Sequence, residues 1–254
     1  MKNNIQLSGR IITLTLLILK AVYGQAQTAS TPVNTLSAAE KQAGWKLLFD
    51  GKTLNGWHSY YEADKSKGWT IEDGCLKNPK GTGRPRTGGG DIMTDETFKD
   101  FEFSWEWSIQ QGGNSGVYYL MQERQHNPGT LMYMGDDGTS PVSFEYQLVD
   151  DERHQDVLQN GPIRSTGSLY SLIPPNDSKK LKPAGEFNQS RIIVQGNHVE
   201  HWLNGTRIVS FELGGETLLK AIANSKYKSV PNFAQRPAPI SFCRTMATRS
   251  GSAI

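Results

Sequence analysis

Residues 101–109 read Phe-Glu-Phe-Ser-Trp-Glu-Trp-Ser-Ile. The odd positions Phe101, Phe103, Trp105, Trp107 and Ile109 are apolar, and the even positions Glu102, Ser104, Glu106 and Ser108 are polar. Successive side chains of an extended chain point to opposite faces, so this alternation predicts a β-strand with one apolar and one polar face. In an antiparallel sandwich the apolar face meets a second sheet. The polar face is then a surface across which a sugar-sized ligand can lie.

Working outward, short strands and turns continue in both directions. Residues 45–49 read as a strand ending in the turn Asp50-Gly51-Lys52, followed by Trp57-His58. Residues 69–72 and 75–77 form a hairpin around Asp73-Gly74, because Asp-Gly between two alternating runs favours a tight turn. Gly112-Gly113 leads into a strand over 114–120, and residues 143–150 (SFEYQLVD) form another. Residues 191–195 and 198–203 pair around Gly196-Asn197, and Asn204-Gly205 turns the chain into 206–211. Residues 79–90, which hold Arg84 and Arg86, residues 121–140 and residues 151–166 read as loops. Residues 36–42 read as a short capped helical turn, and 216–225 as the one clear helix. Many close-spaced strands with almost no helix predict an all-β sandwich.

The chain has 254 residues, enough for one large β-domain with a substantial core. Its 27 basic and 25 acidic side chains leave a net charge of +2, so nucleic acid is not an expected partner. The 26 glycines and 12 prolines suit a chain with many turns. No dinucleotide fingerprint, phosphate loop or metalloprotease helix is present.

At the N-terminus, Lys2 and Arg10 flank a polar start, residues 11–19 are apolar, and Gly24-Gln25-Ala26 has a small-x-small cleavage pattern. Residues 1–26 therefore read as a signal peptide. The apolar run is too short to span a bilayer, Lys20 interrupts it, and no cysteine follows to carry a lipid. The expectation is a periplasmic or secreted protein with no stable membrane anchor. Residues 27–42 form a polar tether and 43–235 the domain. Cys75 and Cys243 are the only cysteines, and a single pair does not establish a bridge. Nothing in the sequence indicates an oligomeric state.

The last residues, 243–254 (CRTMATRSGSAI), lack strand periodicity and aromatic residues. With one admissible choice of codons, reading them one base earlier yields QDHGDEVWFRN, a turn followed by an aromatic strand. Residues 236–254 are accordingly expected to be an aberrant, unpaired tail, and Cys243 an accident of the shifted frame, with no bridge to Cys75.

Several segments occur in a recognisable order: LFDGKTLNGWHS (48–59), WTIEDGCL (69–76), DFEFSWEWSI (100–109), GGNSGVYY (112–119), FEYQLVD (144–150) and GEFNQSRIIVQGNHVEHWLNG (185–205). Together they resemble the 3-keto-disaccharide hydrolase family, also described as 3-keto-glucoside lyase/3-keto-2-hydroxyglucal hydratase, over roughly residues 43–235. The resemblance implies a concanavalin A-like jelly roll with a concave sheet. Members carry a QDHG-type turn and strand at the C-terminus, which this chain lacks.

The implied chemistry is elimination. A ketone at C3 acidifies the hydrogen on C2, a base removes it, the C1 substituent leaves, and water adds to the 2-hydroxyglucal. This needs a base, an acid near the glycosidic oxygen, and donors or a cation for the enolate oxygen. Glu106, central on its polar face, and Glu145 are the expected acid/base carboxylates, with His201 as a further general-base candidate. Glu145 and Gln147 share one strand face, an acceptor beside a two-way hydrogen bonder. Asn114, Ser115, Gln147, Asp150 and Tyr170 are the expected substrate-binding residues. From pattern alone, a solvated sheet face explains the carboxylates, a turn explains Asn114-Ser115, and core packing explains Trp57, Trp69 and Trp202 as well as sugar stacking does. Carboxylates and a histidine are ligand types for a divalent cation, but no spacing marks a metal motif and the cofactor is left open. The partner is expected to be a small sugar. A lectin-like jelly roll without turnover is the rival reading, and a glycosidase acting on unoxidised sugars a third.

Overall fold

A computed structural model describes residues 33–59, 69–78, 92–121, 143–230, 233, 241–243 and 248–253. The expected signal peptide, the start of the tether, the loop holding Arg84 and Arg86, and nearly all of 121–140 lie outside the described residues. Among the described residues thirteen strands run in chain order: β1 Lys46–Leu47, β2 Trp57–Ser59, β3 Thr70–Glu72, β4 Cys75–Lys77, β5 Ile92–Thr94, β6 Phe101–Trp107, β7 Asn114–Met121, β8 Phe144–Val149, β9 Asn188–Gln195, β10 His198–Leu203, β11 Thr206–Glu212, β12 Ser241–Cys243 and β13 Thr248–Ala253. They form two antiparallel sheets. The larger has the order β11-β10-β9-β6-β13-β4-β3, with β1 also on β13, and the smaller β2-β5-β12-β7-β8. This is the expected jelly-roll sandwich.

The alternation along β6 does what the sequence implies. Phe101, Phe103, Trp105 and Trp107 are buried, while Glu102, Ser104 and Glu106 are half-buried on the other side. Trp105 meets Tyr146 of β8 edge-on at 5.1 Å across the sandwich, a favoured aromatic geometry. A polar chain crosses the same interface. Trp107 Nε1 donates to Ser190 Oγ (2.8 Å), Ser190 Oγ to the Tyr146 hydroxyl (2.9 Å), and that hydroxyl to the Trp202 carbonyl (3.1 Å). Buried polar groups satisfied in sequence hold the two sheets in one register.

Both predicted X-Gly hairpins are present. Asp73 and Gly74 (φ 51° and 71°), and Asn204 and Gly205 (φ 48° and 79°), supply the paired left-handed residues of the turn that matches strand twist. Trp57 and Trp69 pack into the core beside Phe49, Leu76 and Ile92 and are not sugar platforms. Cys75 is a free thiol.

Three features differ from expectation. The expected capped helical turn, α1 Ala38–Gln42 with its capping box between Ser37 and Glu40, and the expected helix, α3 Glu216–Ala223, are accompanied by a helix in the segment read as a loop, α2 Gln155–Asn160, which runs on into a 3₁₀ turn at Gly161–Arg164. α2 buries no residue, so it leaves no apolar period for a sequence to display. β5, only three residues long, also left no readable alternation. The tail is not unpaired. Residues 241–243 pair with β5 and β7, and residues 248–253 lie between β6 on one side and β4 and β1 on the other. Ladder hydrogen bonds are made by backbone, so open edges on β6 and β4 accept a strand that lacks the usual side chains.

Candidate active site

Glu106 stands between Trp105 and Trp107, whose rings fill the core, so it points out of the larger sheet. Glu145 stands between Phe144 and Tyr146, also core residues, and points out of the smaller sheet. The two carboxylates occupy opposite outer faces of the sandwich and share no cleft. This corrects the expected pairing. Alternation tells which residues share a strand face but not which sheet the strand joins. The outer face of the larger sheet is closed by ion pairs and stacking: Arg191 to Glu102 (2.8 Å), the Arg191 guanidinium 4.4 Å over the Trp202 ring, and Trp202 Nε1 and Arg207 both on Glu200.

His201 is also not a base at a surface. Its ring is fully buried, with Nδ1 2.9 Å from the Gly167 carbonyl and Nε2 2.7 Å from the Tyr119 hydroxyl. The carbonyl can only accept, so Nδ1 carries the proton and Nε2 accepts from Tyr119. Burial pushes its pKa down to about 4, which keeps it neutral.

Two expected ligands serve the backbone or the interior. Ser115 falls on the same face of β7 as the core residues Val117 and Tyr119, away from Gln147. Asp150 accepts from the Gly112 and Glu152 amides and from Arg153. Burial alone would raise its pKa, but those hydrogen bonds outweigh it and hold the carboxyl below its ordinary value. Asp150 thus organises the turn between β6 and β7.

The remaining candidates converge on the outer face of the smaller sheet. Glu145 is only 7% exposed, and its carboxyl lies across Gly116 of β7. Gln147 is buried beside it and donates to Asn114 Oδ1 at 3.2 Å, while its own Oε1 has no partner. β8 is the edge strand, and residues 166–170 close that edge. Gly167 N–H reaches the Gln147 carbonyl (2.8 Å), Tyr170 N–H reaches the Glu145 carbonyl (3.0 Å), and the Thr166 hydroxyl bridges the Val149 amide and carbonyl. That pairing carries Tyr170 to the side of Glu145.

Around Tyr170 lie groups the sequence reading missed. Its hydroxyl donates to Asp156 (2.9 Å) and accepts from Arg164, whose guanidinium also stacks 4.5 Å over the Tyr170 ring. The Lys226 ammonium lies 4.7 Å over Tyr170 and 5.1 Å over Tyr227. Burial pushes Tyr170 up to about 12, with the hydrogen bond to Asp156 adding to it, so the phenol stays protonated. Lys226 is lowered from its ordinary value, first by burial of its ammonium end and then by the charge of Arg164, while Glu145 and Asp156 pull the other way. Glu145 likewise acts on Tyr170 and Tyr227, so its carboxylate faces the same space. His154 caps α2 by accepting from the Asp156 amide (3.2 Å), which fixes Asp156 beneath Tyr170. Among the described residues no three His, Cys, Asp or Glu side chains gather to hold a metal ion. None of these added residues had an apolar period or a motif. Lys226 follows α3, and Asp156 and Arg164 lie in the segment read as a loop.

Such a face, with one shielded carboxylate, two cations, phenols and amides, suits proton transfer on a polyhydroxylated ligand. A curated "3-keto-disaccharide hydrolase" of Bacteroides thetaiotaomicron is 36% identical over 205 residues, 78% of this chain and 67% of that protein. A crystal structure from Parabacteroides distasonis, provisionally named a glycosyl hydrolase, superposes with a TM-score of 0.69 at 29% identity, covering 87% of this chain and 97% of that one. A second from the same organism, named likewise, reaches 0.58 at 20% identity over 83% and 98% of the two chains and shows the shared fold. A family profile described as the 3-keto-alpha-glucoside-1,2-lyase-like domain matches residues 44–236, and the chain belongs to that family.

Proposed function

We propose that this protein cleaves 3-keto-glycosides by C2 deprotonation and β-elimination, followed by hydration to give net hydrolysis of a small sugar substrate. The observation that carries the reading is the convergence of Glu145, Tyr170, Tyr227, Arg164 and Lys226 on one outer face. Glu145 is the base for the C2 hydrogen. A carboxylate held 7% exposed loses hydration and becomes a better base once substrate excludes the remaining water. The C3 ketone becomes an enolate in the same step. Arg164, backed by the Tyr170–Asp156 hydrogen bond, supplies positive charge for that oxygen. Asn114 and Gln147 offer amides to sugar hydroxyls at the edge of the same face.

The test is aglycone release from a 3-keto-aryl glucoside by the full chain and by Glu145→Gln. Release that falls by about 10²- to 10⁴-fold in the variant supports the reading, that being the usual worth of a positioned base. Saturable sugar binding without release, unchanged by the substitution, would support a lectin-like module instead. The N-terminal export pattern argues for work outside the cytoplasm, which cell fractionation checks.

A further inference from the structure

With Glu106 on the far side of the sandwich, the elimination has a base but no assigned acid for the leaving oxygen. We propose that Lys226 is that acid: its ammonium protonates the glycosidic oxygen as it departs from the enolate that Glu145 has formed by taking the C2 proton. This rests on the reading of the preceding subsection. Lys226 Nζ sits over the rings of Tyr170 and Tyr227, the two phenols that also feel the Glu145 carboxylate. Among the described residues it makes no hydrogen bond or ion pair, although Glu145 and Asp156 are near enough to act on it. Arg164, by contrast, is committed to Tyr170 and Asp156. A cation held by ring faces alone keeps all three N–H donors for a ligand. Burial and the neighbouring guanidinium lower its affinity for the proton, which makes it a readier donor than a free lysine.

The step balances. The C2 proton goes to Glu145 and the C2–H electron pair is taken up as the enolate, which then returns it to form the C1=C2 bond. The C1–O bond breaks with its pair on the aglycone oxygen, which takes a proton from Lys226. In the return step the Lys226 amine removes a proton from water as its oxygen adds to C1, and protonated Glu145 returns a proton to C2. Both side chains end as they began, with no further reactant than water.

The experiment uses the full chain and two substrates, 3-keto-4-nitrophenyl glucoside and 3-keto-methyl glucoside. Nitrophenolate leaves without help, whereas methoxide needs a proton. Lys226→Met is expected to lower kcat/KM for the methyl glucoside by about 10²- to 10⁴-fold and for the nitrophenyl glucoside by less than about tenfold. Lys226→Arg keeps the charge but has no proton to give, and is expected to follow Lys226→Met. Equal losses on both substrates, no loss on either, or recovery of the methyl glucoside rate by Lys226→Arg would each overturn the assignment. Should the unaltered protein release neither aglycone, the elimination reading itself fails. Should it release both, with Glu145→Gln impaired and Lys226→Met lowering both rates alike, only the acid assignment fails.

Discussion

The Glu145 carboxyl occupies the space that a side chain at Gly116 would fill: a Cβ built there stands 2.2 Å from Oε1 and 2.8 Å from Cγ. Gly116 is cross-strand neighbour to Gln147, so the glycine opens a trough in an otherwise continuous sheet surface. Its φ is not in the left-handed region, and the requirement is one of space. Gly116→Ala should therefore displace the carboxylate more than it disturbs the backbone. The expected outcome is a loss of about 10²-fold in turnover with a stability cost of about 1–3 kcal/mol, the usual range for overpacking. Aglycone release and urea denaturation measure the two separately, and full activity in the alanine variant would show that the position of Glu145 does not matter.

The opposed faces of the sandwich yield a contrast between two glutamates. Glu106→Gln alters a half-buried residue opposite Gln189 on the outer side of the larger sheet, with no part in the Tyr170 cluster. Its activity should stay within about twofold of the unaltered protein, since surface changes away from a site seldom exceed ±0.5 kcal/mol. Glu145→Gln should lose at least about 10²-fold. Reversal of that order in side-by-side rate measurements would remove the smaller sheet as the site.

Sequence carried the strands further than the site, and these two glutamates show why. Period-two alternation in FEFSWEW and FEYQLV correctly divides core from surface on β6 and β8. It contains no term for pairing partner, and only pairing puts β6 in one sheet and β8 in the other. The X-Gly turns were readable because their chemistry is local. The Tyr170 cluster was not. It depends on residues 166–170 pairing along the edge of β8, on α2 capped by a histidine, and on a lysine after α3. These segments are polar, short and far apart in the chain, so nothing periodic marks them. His201 misled for the opposite reason, being a polar residue on the apolar face of β10 with Val199 and Leu203.

That buried histidine makes stability depend on acid. Its folded pKa of about 4 lies below the ordinary 6.5, so the unfolded chain binds the proton more tightly. Stability from this group is full above pH 6.5 and is lost as pH falls towards 4. The difference corresponds to on the order of 3 kcal/mol across the window. His201→Gln should be less stable at neutral pH, because the Gly167 carbonyl and Tyr119 hydroxyl lose a fitted partner. The gap between the two proteins should then narrow on acidification. Denaturation at several pH values between 4 and 7.5 checks this, and a constant gap would contradict the burial of a neutral ring.

The last strand offers a test of its own. β13 fills a slot between β6 and the β4–β1 side of the larger sheet, in ladder contact with Trp105 and Trp107 of the core strand. The residues there, TRSGSA, are small or polar, in a position whose neighbours are aromatic. Replacing residues 244–254 by QDHGDEVWFRN, the shifted reading of the same tail, puts an aromatic strand of equal length in the slot. Each large apolar side chain buried contributes about 1.5–3 kcal/mol. Adjacent strand residues point to opposite faces, so only one of the neighbouring Trp and Phe enters the core, and at about 2–4 °C per kcal/mol for a domain of this size it should raise the melting midpoint on the order of 5 °C. A backbone ladder alone would satisfy the edges of β6 and β4 equally well with either tail. An unchanged or lower midpoint would therefore show that the slot is held by hydrogen bonding and gains nothing from aromatic packing.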